Sequence, residues 1–356
     1  MKTLVTGAGG FVGGRLVEIL EADRPGSTLA GIRRWSTAAR IGRLPVDIVQ
    51  CDVMNAEQVA QQVAGVSRVV HCATGPGDVN VQGTRNVLQA SLDAGVERVV
   101  HISTIALYGN TVGELTEEDA PELSGVPYAD SKLRTEEVCR EFMDRGLALS
   151  VLRPTIVYGP FSPNWTEEFA VRLQSRPWPF PRELSSGTCN LVYVDDLVAA
   201  IRLASNRPEA VGEIFNITGP EYPTWFDYFL ALNRAMGLPP LESKSSFGSQ
   251  VAAWGMKPVR AGAKFALARF GDQIMNLYKS SELAKKVMKG AEGAIRKAPT
   301  TGEFELYSKV ISFPNTKAEQ LLGYRPAVDM EAGIERSVAW LEHSGFMNGG
   351  RPVRHA

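Results

Sequence analysis

The sequence predicts an α/β fold in which helices wind around both faces of a parallel sheet of about seven strands. Three observations support this prediction. Short β-branched runs alternate with longer helical patterns through the first half of the chain. A glycine-rich turn joins the first of these runs to the first helical pattern. The 356 residues are 44% hydrophobic and 22% charged, which is the composition of an ordinary globular protein.

The elements follow in chain order, with β-branched and apolar runs predicting strands and apolar residues at helical spacing predicting helices. The predicted strands are Thr3–Thr6, Leu29–Ile32, Asp47–Gln50, Arg68–His71, Val99–Ser103, Ser150–Arg153 and Ile214–Ile217. The predicted helices are Phe11–Glu21, Ala56–Val63, Thr84–Ala94, Tyr128–Arg145 and Val194–Ala204. After Pro160 this alternation weakens, and residues 219–345 mix helical patterns with irregular turns.

The glycine-rich turn is Gly7-Ala8-Gly9-Gly10-Phe11-Val12-Gly13. Gly7, Gly10 and Gly13 follow a predicted strand and open a helix, so the backbone can turn tightly beside a pyrophosphate at the helix N-terminus. We therefore predict a Rossmann-type dinucleotide site, with Phe11 and Val12 among its cofactor-binding residues. The alternative is a glycine-rich turn without a ligand.

The end of the second predicted strand indicates which dinucleotide is bound. Arg33 and Arg34 stand where a carboxylate would hold the adenosine ribose, and the next acidic residue is Asp47. Guanidinium groups bind a 2′-phosphate by charge-assisted hydrogen bonds. The sequence thus favours NADP over NAD. Solvated surface arginines are the alternative explanation.

A second group of residues has the chemistry of proton transfer. Lys132 comes four positions after Tyr128 on a predicted helix, and this spacing places the two side chains on one face. A nearby ammonium favours the phenolate and pulls the pKa of the tyrosine down from about 10. Such a phenol can act as a general acid or base. The strand before this helix ends in hydroxyls, Ser103 and Thr104.

In their order and spacing, these motifs resemble those of the extended short-chain dehydrogenase/reductase family, which includes nucleotide-sugar epimerases, dehydratases and 3β-hydroxysteroid dehydrogenases. The resemblance runs from Met1 to about Gly219. It implies that Thr104 orients the substrate oxygen and that Tyr128 transfers the proton. Lys132 would hold the nicotinamide ribose and lower the pKa of Tyr128. It also implies further cofactor contacts at Asp52, Val53, Ala73, Thr74, Asn80, Pro154 and Val157.

Two departures from the family pattern concern the substrate. Ile156 stands where nucleotide-sugar enzymes usually have an asparagine, and Ile105-Ala106 stands where dehydratases have an acidic pair. The chain therefore resembles the ketone-reductase and hydroxysteroid-dehydrogenase branch more closely. Several apolar residues also suggest that the substrate is a hydrophobic or cyclic ketone or alcohol. Core packing could explain each of them equally well. They are Ile156, Trp165, Trp178, Phe180 and Trp254.

We predict two interleaved domains. Residues 1–160 with about 189–218 form the dinucleotide-binding domain, and residues 161–188 with about 219–345 form a smaller substrate-binding lobe. The predicted function is an NAD(P)-dependent ketone reductase or secondary-alcohol dehydrogenase. The first alternative is a nucleotide-sugar epimerase that retains NAD. A cofactor-binding regulatory or structural protein without turnover is the second.

Composition limits the other partners. The net charge of −1 excludes a generally polyanion-binding surface, so no nucleic-acid partner is predicted. Four cysteines without C-x-x-C spacing indicate reduced thiols in the cytoplasm, and no metal-ligand cluster or membrane-spanning run is found. His71 and His101 are predicted to be core histidines. The family resemblance implies a homodimer through the helices Thr84–Ala94 and Tyr128–Arg145.

One segment is strongly basic. Residues 257–297 hold ten basic and three acidic residues, with apolar residues interleaved at roughly helical spacing. A solvated helical face is the preferred interpretation. Peripheral contact with a membrane surface and docking of a partner are the alternatives.

Overall fold

The computed structural model describes residues 2–174, 186–241 and 301–347. Trp178, Phe180, Trp254 and the basic segment 257–297 therefore lie outside the described residues. None of the helices within the described ranges is long and apolar enough to cross a membrane.

The chain divides into two compact units. The first contains Met1–Thr166, Asn190–Tyr222 and Ile311–Ala356, and the second contains Glu167–Cys189 and Pro223–Val310. Every residue that the sequence assigned to cofactor binding or catalysis belongs to the first unit.

A seven-stranded parallel sheet forms the centre of the first unit, in the order β3-β2-β1-β4-β5-β7-β10. This order confirms the predicted doubly wound fold, because the chain runs outward from β1 in one direction and then returns to extend the sheet in the other. The strands are β1 Thr3–Thr6, β2 Thr28–Ile32, β3 Asp47–Gln50, β4 Arg68–His71, β5 Arg98–Ile102, β7 Leu149–Pro154 and β10 Ile214–Ile217. Short parallel pairs join β6 Gly113–Glu114 to β11 Ile311–Ser312, and β8 Ile156–Tyr158 to β9 Leu191–Tyr193.

Helices cover both faces of this sheet, and each face has its own apolar core. Buried valines and leucines alternate along the strands, so that Val5 and Val70 face one core while Leu4 and Val69 face the other. The helices of this unit are α1 Phe11–Asp23, α2 Ala56–Val63, α3 Asp78–Asp93, α4 Pro127–Asp144, α6 Val194–Asn206, α9 Thr316–Leu322 and α10 Met330–His343.

The second unit holds helices α5 Glu168–Gln174, α7 Trp225–Ala235 and α8 Thr301–Ser308. Its described part packs around aromatic rings, with Phe169, Trp225, Phe229 and Tyr307 in contact at centroid distances of 4.7–6.3 Å. Such edge and tilted contacts are the favoured geometries of aromatic pairs. A large share of this unit's stability therefore rests on aromatic burial.

One predicted boundary is clearly displaced. Helix α3 begins at Asp78, whereas the sequence pattern placed its first residue at Thr84. Asp78 lies in the first turn, where its charge interacts favourably with the helix dipole. The earlier start brings Asn80 into the helix, where its side chain is buried.

Candidate active site

Thr104 lies two residues after the end of strand β5, at the carboxyl edge of the sheet. Its hydroxyl caps a 3₁₀ turn, Ile105–Tyr108, by accepting a hydrogen bond from the Ala106 amide at 3.2 Å. The same side chain lies beside the Tyr128 phenol and acts to lower its pKa. The structure therefore brings together a hydroxyl and a phenol that are far apart in the sequence.

Tyr128 occupies the first turn of α4, which begins at Pro127. Proline suits this position because the amides of the first turn have no acceptor within the helix, so the N–H that proline lacks is not needed there. As a residue, Tyr128 is 48% exposed. Burial raises the pKa of Tyr128, and the hydrogen bond with Thr104 opposes this rise without cancelling it.

Lys132 lies one turn further along α4 and is only 3% exposed. Its Nζ donates a hydrogen bond to the Ile102 carbonyl at 2.9 Å. Burial lowers the pKa of Lys132 to about 8, while the negative charge of Glu136 acts in the opposite direction. This ammonium is therefore close to losing its proton at physiological pH.

The expected lowering of the Tyr128 pKa by Lys132 is not found. The pKa of Tyr128 is raised, because burial of the phenol outweighs its hydrogen bond with Thr104. The Lys132 ammonium is instead directed at the Ile102 carbonyl. In this arrangement Tyr128 is a protonated phenol at neutral pH.

Asn80 links the loop after β4 to the start of α4. Its Oδ1 accepts hydrogen bonds from the Thr74 hydroxyl at 3.1 Å and from the Gly75 amide at 2.9 Å. Its Nδ2 donates to the Ser131 hydroxyl at 2.9 Å, and that hydroxyl donates to the Tyr128 carbonyl. Asn80 is therefore connected through Ser131 to the backbone at Tyr128. The sequence did not indicate this role of Ser131.

The glycine turn has the close approaches that a dinucleotide cradle requires. Gly7 has a φ of 69°, and a Cβ there would lie 2.7 Å from the Ala73 nitrogen. A Cβ on Gly13 would lie 2.4 Å from the Gly7 carbonyl oxygen. At the start of α1, Gly10 supplies no side-chain cap, so no described side chain covers the first-turn amides beside Phe11 and Val12. These features suit a pyrophosphate at the helix N-terminus.

Arg33 and Arg34 lie just past β2, and both are exposed. Nearby arginines are already engaged, since Arg40 and Arg43 bind Glu18 at 2.9 and 2.8 Å. Burial opposes ionisation of Glu18, but its arginine partners outweigh this effect and lower its pKa to about 2. Neither Arg33 nor Arg34 forms an ion pair with any residue that the structure describes.

The remaining predicted cofactor contacts lie in loops and strands at the same edge of the sheet. Asp52 follows β3, and its carboxylate accepts the Met54 amide at 3.1 Å. Val53 is covered by α3, where a Cβ on Gly83 would meet the Val53 side chain at 2.7 Å. Pro154 ends β7, and Val157 lies in β8.

His71 and His101 are buried, as predicted, and their ring centroids are 5.1 Å apart. His71 has a partner at each nitrogen, the hydroxyls of Thr6 at 2.7 Å and Thr84 at 3.0 Å. Neither ring nitrogen of His101 has a hydrogen-bond partner within the described ranges. In the same ranges no three histidine, cysteine or acidic side chains are grouped so that they could hold a metal ion.

Comparison with known proteins identifies the class. Residues 3–218 match the model of the NAD dependent epimerase/dehydratase family, and the chain belongs to this family. The match confirms the resemblance to extended short-chain dehydrogenases/reductases.

Individual relatives differ in their named activities. UDP-glucose 4-epimerase of Mycolicibacterium smegmatis is 32% identical over 67% of this chain and 84% of its own. Human 3 beta-hydroxysteroid dehydrogenase type 7 is 30% identical over 66% of this chain and 73% of its own. The structure of UDP-glucuronic acid 4-epimerase from Bacillus cereus, in complex with NAD, superposes with a TM-score of 0.70 at 20% identity. That superposition covers 96% of this chain and 99% of the epimerase, and it shows the fold alone.

Proposed function

We propose that this protein is an NADP-preferring ketone reductase or secondary-alcohol dehydrogenase. The observation that carries the proposal is the Tyr128 phenol, which lies beside Thr104 and one helical turn before the buried Lys132. The glycine turn suits a dinucleotide, because a Cβ at Gly7 would clash with the Ala73 backbone and one at Gly13 with the Gly7 carbonyl, so that neither position admits a side chain. A bound nicotinamide would supply or accept the hydride.

In the proposed reaction, side chains of the protein supply and position the proton. A raised pKa keeps the Tyr128 Oη protonated at neutral pH, so this atom can donate a proton to a ketone oxygen as that oxygen gains negative charge. Thr104, as the hydrogen-bond partner of the phenol, orients the donor and the substrate oxygen. Lys132 holds a positive charge beneath the tyrosine and is assigned to the cofactor ribose. This protonation state suits ketone reduction at neutral pH.

The surroundings of Tyr128 favour an apolar substrate. Leu123 is 62% exposed and Val126 is 54% exposed, and both precede Tyr128 in the segment that leads into α4. After Thr104, Ile105 and Ala106 place no charge in the 3₁₀ turn. Exposed apolar side chains beside a reactive phenol are typical of a pocket for a hydrophobic ketone or alcohol. The 3 beta-hydroxysteroid dehydrogenase relative supports this branch of the family.

A steady-state assay tests the proposed reaction. With NADPH and a panel of apolar cyclic ketones, we expect the absorbance of NADPH at about 340 nm to fall. The amount of NADPH consumed should equal the amount of alcohol formed. The epimerase alternative, supported by the UDP-glucose 4-epimerase relative, predicts NAD retained on purification and interconversion of UDP-sugars without net redox change. Retained NAD together with UDP-sugar turnover would replace our proposal by that alternative.

The preference for NADP is proposed from the exposed guanidinium groups of Arg33 and Arg34, although the NAD-bound epimerase structure leaves NAD open. We expect Arg33→Ala and Arg34→Ala each to raise the KM for NADPH by about tenfold, the value of one charge-assisted hydrogen bond. The KM for NADH should change less than about twofold, because NADH has no 2′-phosphate. Arg24→Ala, which removes an exposed arginine at the other end of α1, is the control. Equal use of NADH by the wild-type protein would contradict the preference.

Two further assignments stay predictions. One is the substrate-binding role of residues 161–188 and about 219–345. The other is a homodimer through α3 and α4, which sedimentation velocity would test. The described outer faces of these helices carry charged pairs such as Arg85 with Glu141, at 2.7 Å.

A further inference from the structure

A buried ion pair lies beneath the candidate active site. Arg153 of β7 and Glu136 of α4 are both fully buried. Arg153 donates from Nε to Glu136 Oε1 at 3.0 Å and from Nη2 to Oε2 at 2.7 Å. This two-point arrangement fixes both position and orientation, since the guanidinium fork matches the carboxylate. The pair therefore attaches α4, which carries Tyr128 and Lys132, to the sheet.

The pair also reaches both sides of Thr104. On one side, the Ser103 hydroxyl donates to Glu136 Oε1 at 2.5 Å. On the other, Arg153 Nη1 donates to the Tyr108 hydroxyl at 2.6 Å, at the end of the turn that Thr104 caps. The residues before and after Thr104 are thus held by one network.

Further hydrogen bonds anchor the far end of the network. The Tyr108 hydroxyl donates to the Thr116 carbonyl at 2.8 Å. The Oδ1 of Asn216 in β10 lies 3.3 Å from the same hydroxyl, and the Asn216 backbone amide donates to Glu117 at 2.6 Å. Because Ser103 after β5 is joined to β7, β10 and α4, movement of the turn after Thr104 would break several hydrogen bonds at once.

Stability alone is a poor explanation for this pair. Burying two charges costs several kcal/mol of desolvation, and apolar side chains of similar volume often give equal or greater stability. What an apolar pair lacks is the directional contact with both Ser103 and Tyr108. Glu136 also lies one turn after Lys132 on α4, where its charge favours the protonated ammonium.

We propose that Glu136 and Arg153 are positioning residues that hold the turn carrying Thr104 beside the Tyr128 phenol. The role rests on the proposed function insofar as Thr104 and Tyr128 are catalytic. The effect of Thr104 on the phenol can be measured without any turnover. It lowers the pKa of Tyr128, so its loss raises that pKa.

The test uses the full-length protein labelled with ¹³C at tyrosine Cζ, and NMR follows the titration of Tyr128. We expect Glu136→Gln and Tyr108→Phe each to raise the pKa of Tyr128, as Thr104→Val does. Neither change should add to Thr104→Val, because all three remove the same effect of Thr104. Tyr108→Phe removes only a hydroxyl, so it keeps the test valid where Glu136→Gln fails to fold. Glu141→Gln, on the outer face of α4, is the matched control.

Kinetics supply the second readout. In the reductase assay we expect Glu136→Gln and Tyr108→Phe to lower kcat by about tenfold to a hundredfold, the cost of misplacing a catalytic group. The KM for NADPH should stay within about threefold, since the network does not touch the glycine cradle. Glu136→Gln should also move the alkaline limb of the pH profile to lower pH, because Lys132 loses a favourable charge.

The outcomes separate the two proposals. A lower melting temperature with unchanged Tyr128 titration and unchanged kcat would show a merely structural pair and overturn the inference. Altered Tyr128 titration in a wild-type protein that reduces no ketone would support the positioning role and remove the proposed function instead.

Discussion

Tyr128→Phe is expected to lower kcat for ketone reduction by about 10²–10⁴-fold, which is the usual contribution of a positioned general acid. The substitution removes only the hydroxyl that donates the proton and that shares a hydrogen bond with Thr104. The ring remains, so packing at the start of α4 is retained. We therefore expect the dissociation constant for NADPH, measured by fluorescence titration, to change less than about threefold.

Tyr222→Phe is the matched control for this prediction. Tyr222 is 47% exposed, almost the same as Tyr128, and its hydroxyl donates to the Phe313 carbonyl at 3.1 Å. Loss of this neutral hydrogen bond should cost about 1 kcal/mol of stability and leave kcat unchanged. Turnover of Tyr128→Phe within a few-fold of wild type would refute the assignment of Tyr128 as the proton donor.

The raised pKa of Tyr128 bears on its role as a proton donor. Burial raises the pKa of Tyr128, so its phenol is protonated at neutral pH, but the raised pKa also makes it a weaker acid and sets no direction for the proposed reaction. The relevant neighbour is Thr104, because the Lys132 ammonium bonds the Ile102 carbonyl.

The fold was accessible from the sequence because its signals are local. A strand such as Thr3–Thr6 and the glycine turn after it are recognised from a few adjacent residues, and the structure has β1 in the same place. The predicted start of α3 was wrong, because glycines around Gly77 are equally compatible with a loop and with a helix start. Local patterns therefore predicted the elements better than their boundaries.

The network around Arg153 was not accessible in the same way. Its contacts with Glu136 and Tyr108 join residues 17 and 45 positions apart on three different elements. Spacing along one helix or strand carries no information about such pairs, since they depend on strand order and register. Ser131, which connects Asn80 to the backbone at Tyr128, was missed for the same reason.

Lys132→Met is expected to abolish most activity and, at the same time, to stabilise the fold. Burial lowers the pKa of Lys132 to about 8, against about 10.4 in an unfolded chain. The unfolded state therefore binds more protons between about pH 8 and pH 10.4, so wild-type stability rises with pH across this window. Below about pH 8 the buried ammonium is a net cost, which a methionine of similar shape removes.

We expect the free energy of unfolding of Lys132→Met at pH 7 to exceed that of wild type by about 2 kcal/mol, after allowance for the lost bond to the Ile102 carbonyl. Urea denaturation measures this difference, and the gain should shrink as the pH rises toward 10. Lys317→Met removes a lysine that pairs with Glu213 at 2.7 Å near the surface, and it should change stability by less than about 1 kcal/mol. A destabilised or fully active Lys132→Met protein would contradict the assignment, since a lysine kept in a fold at such a cost is explained by function.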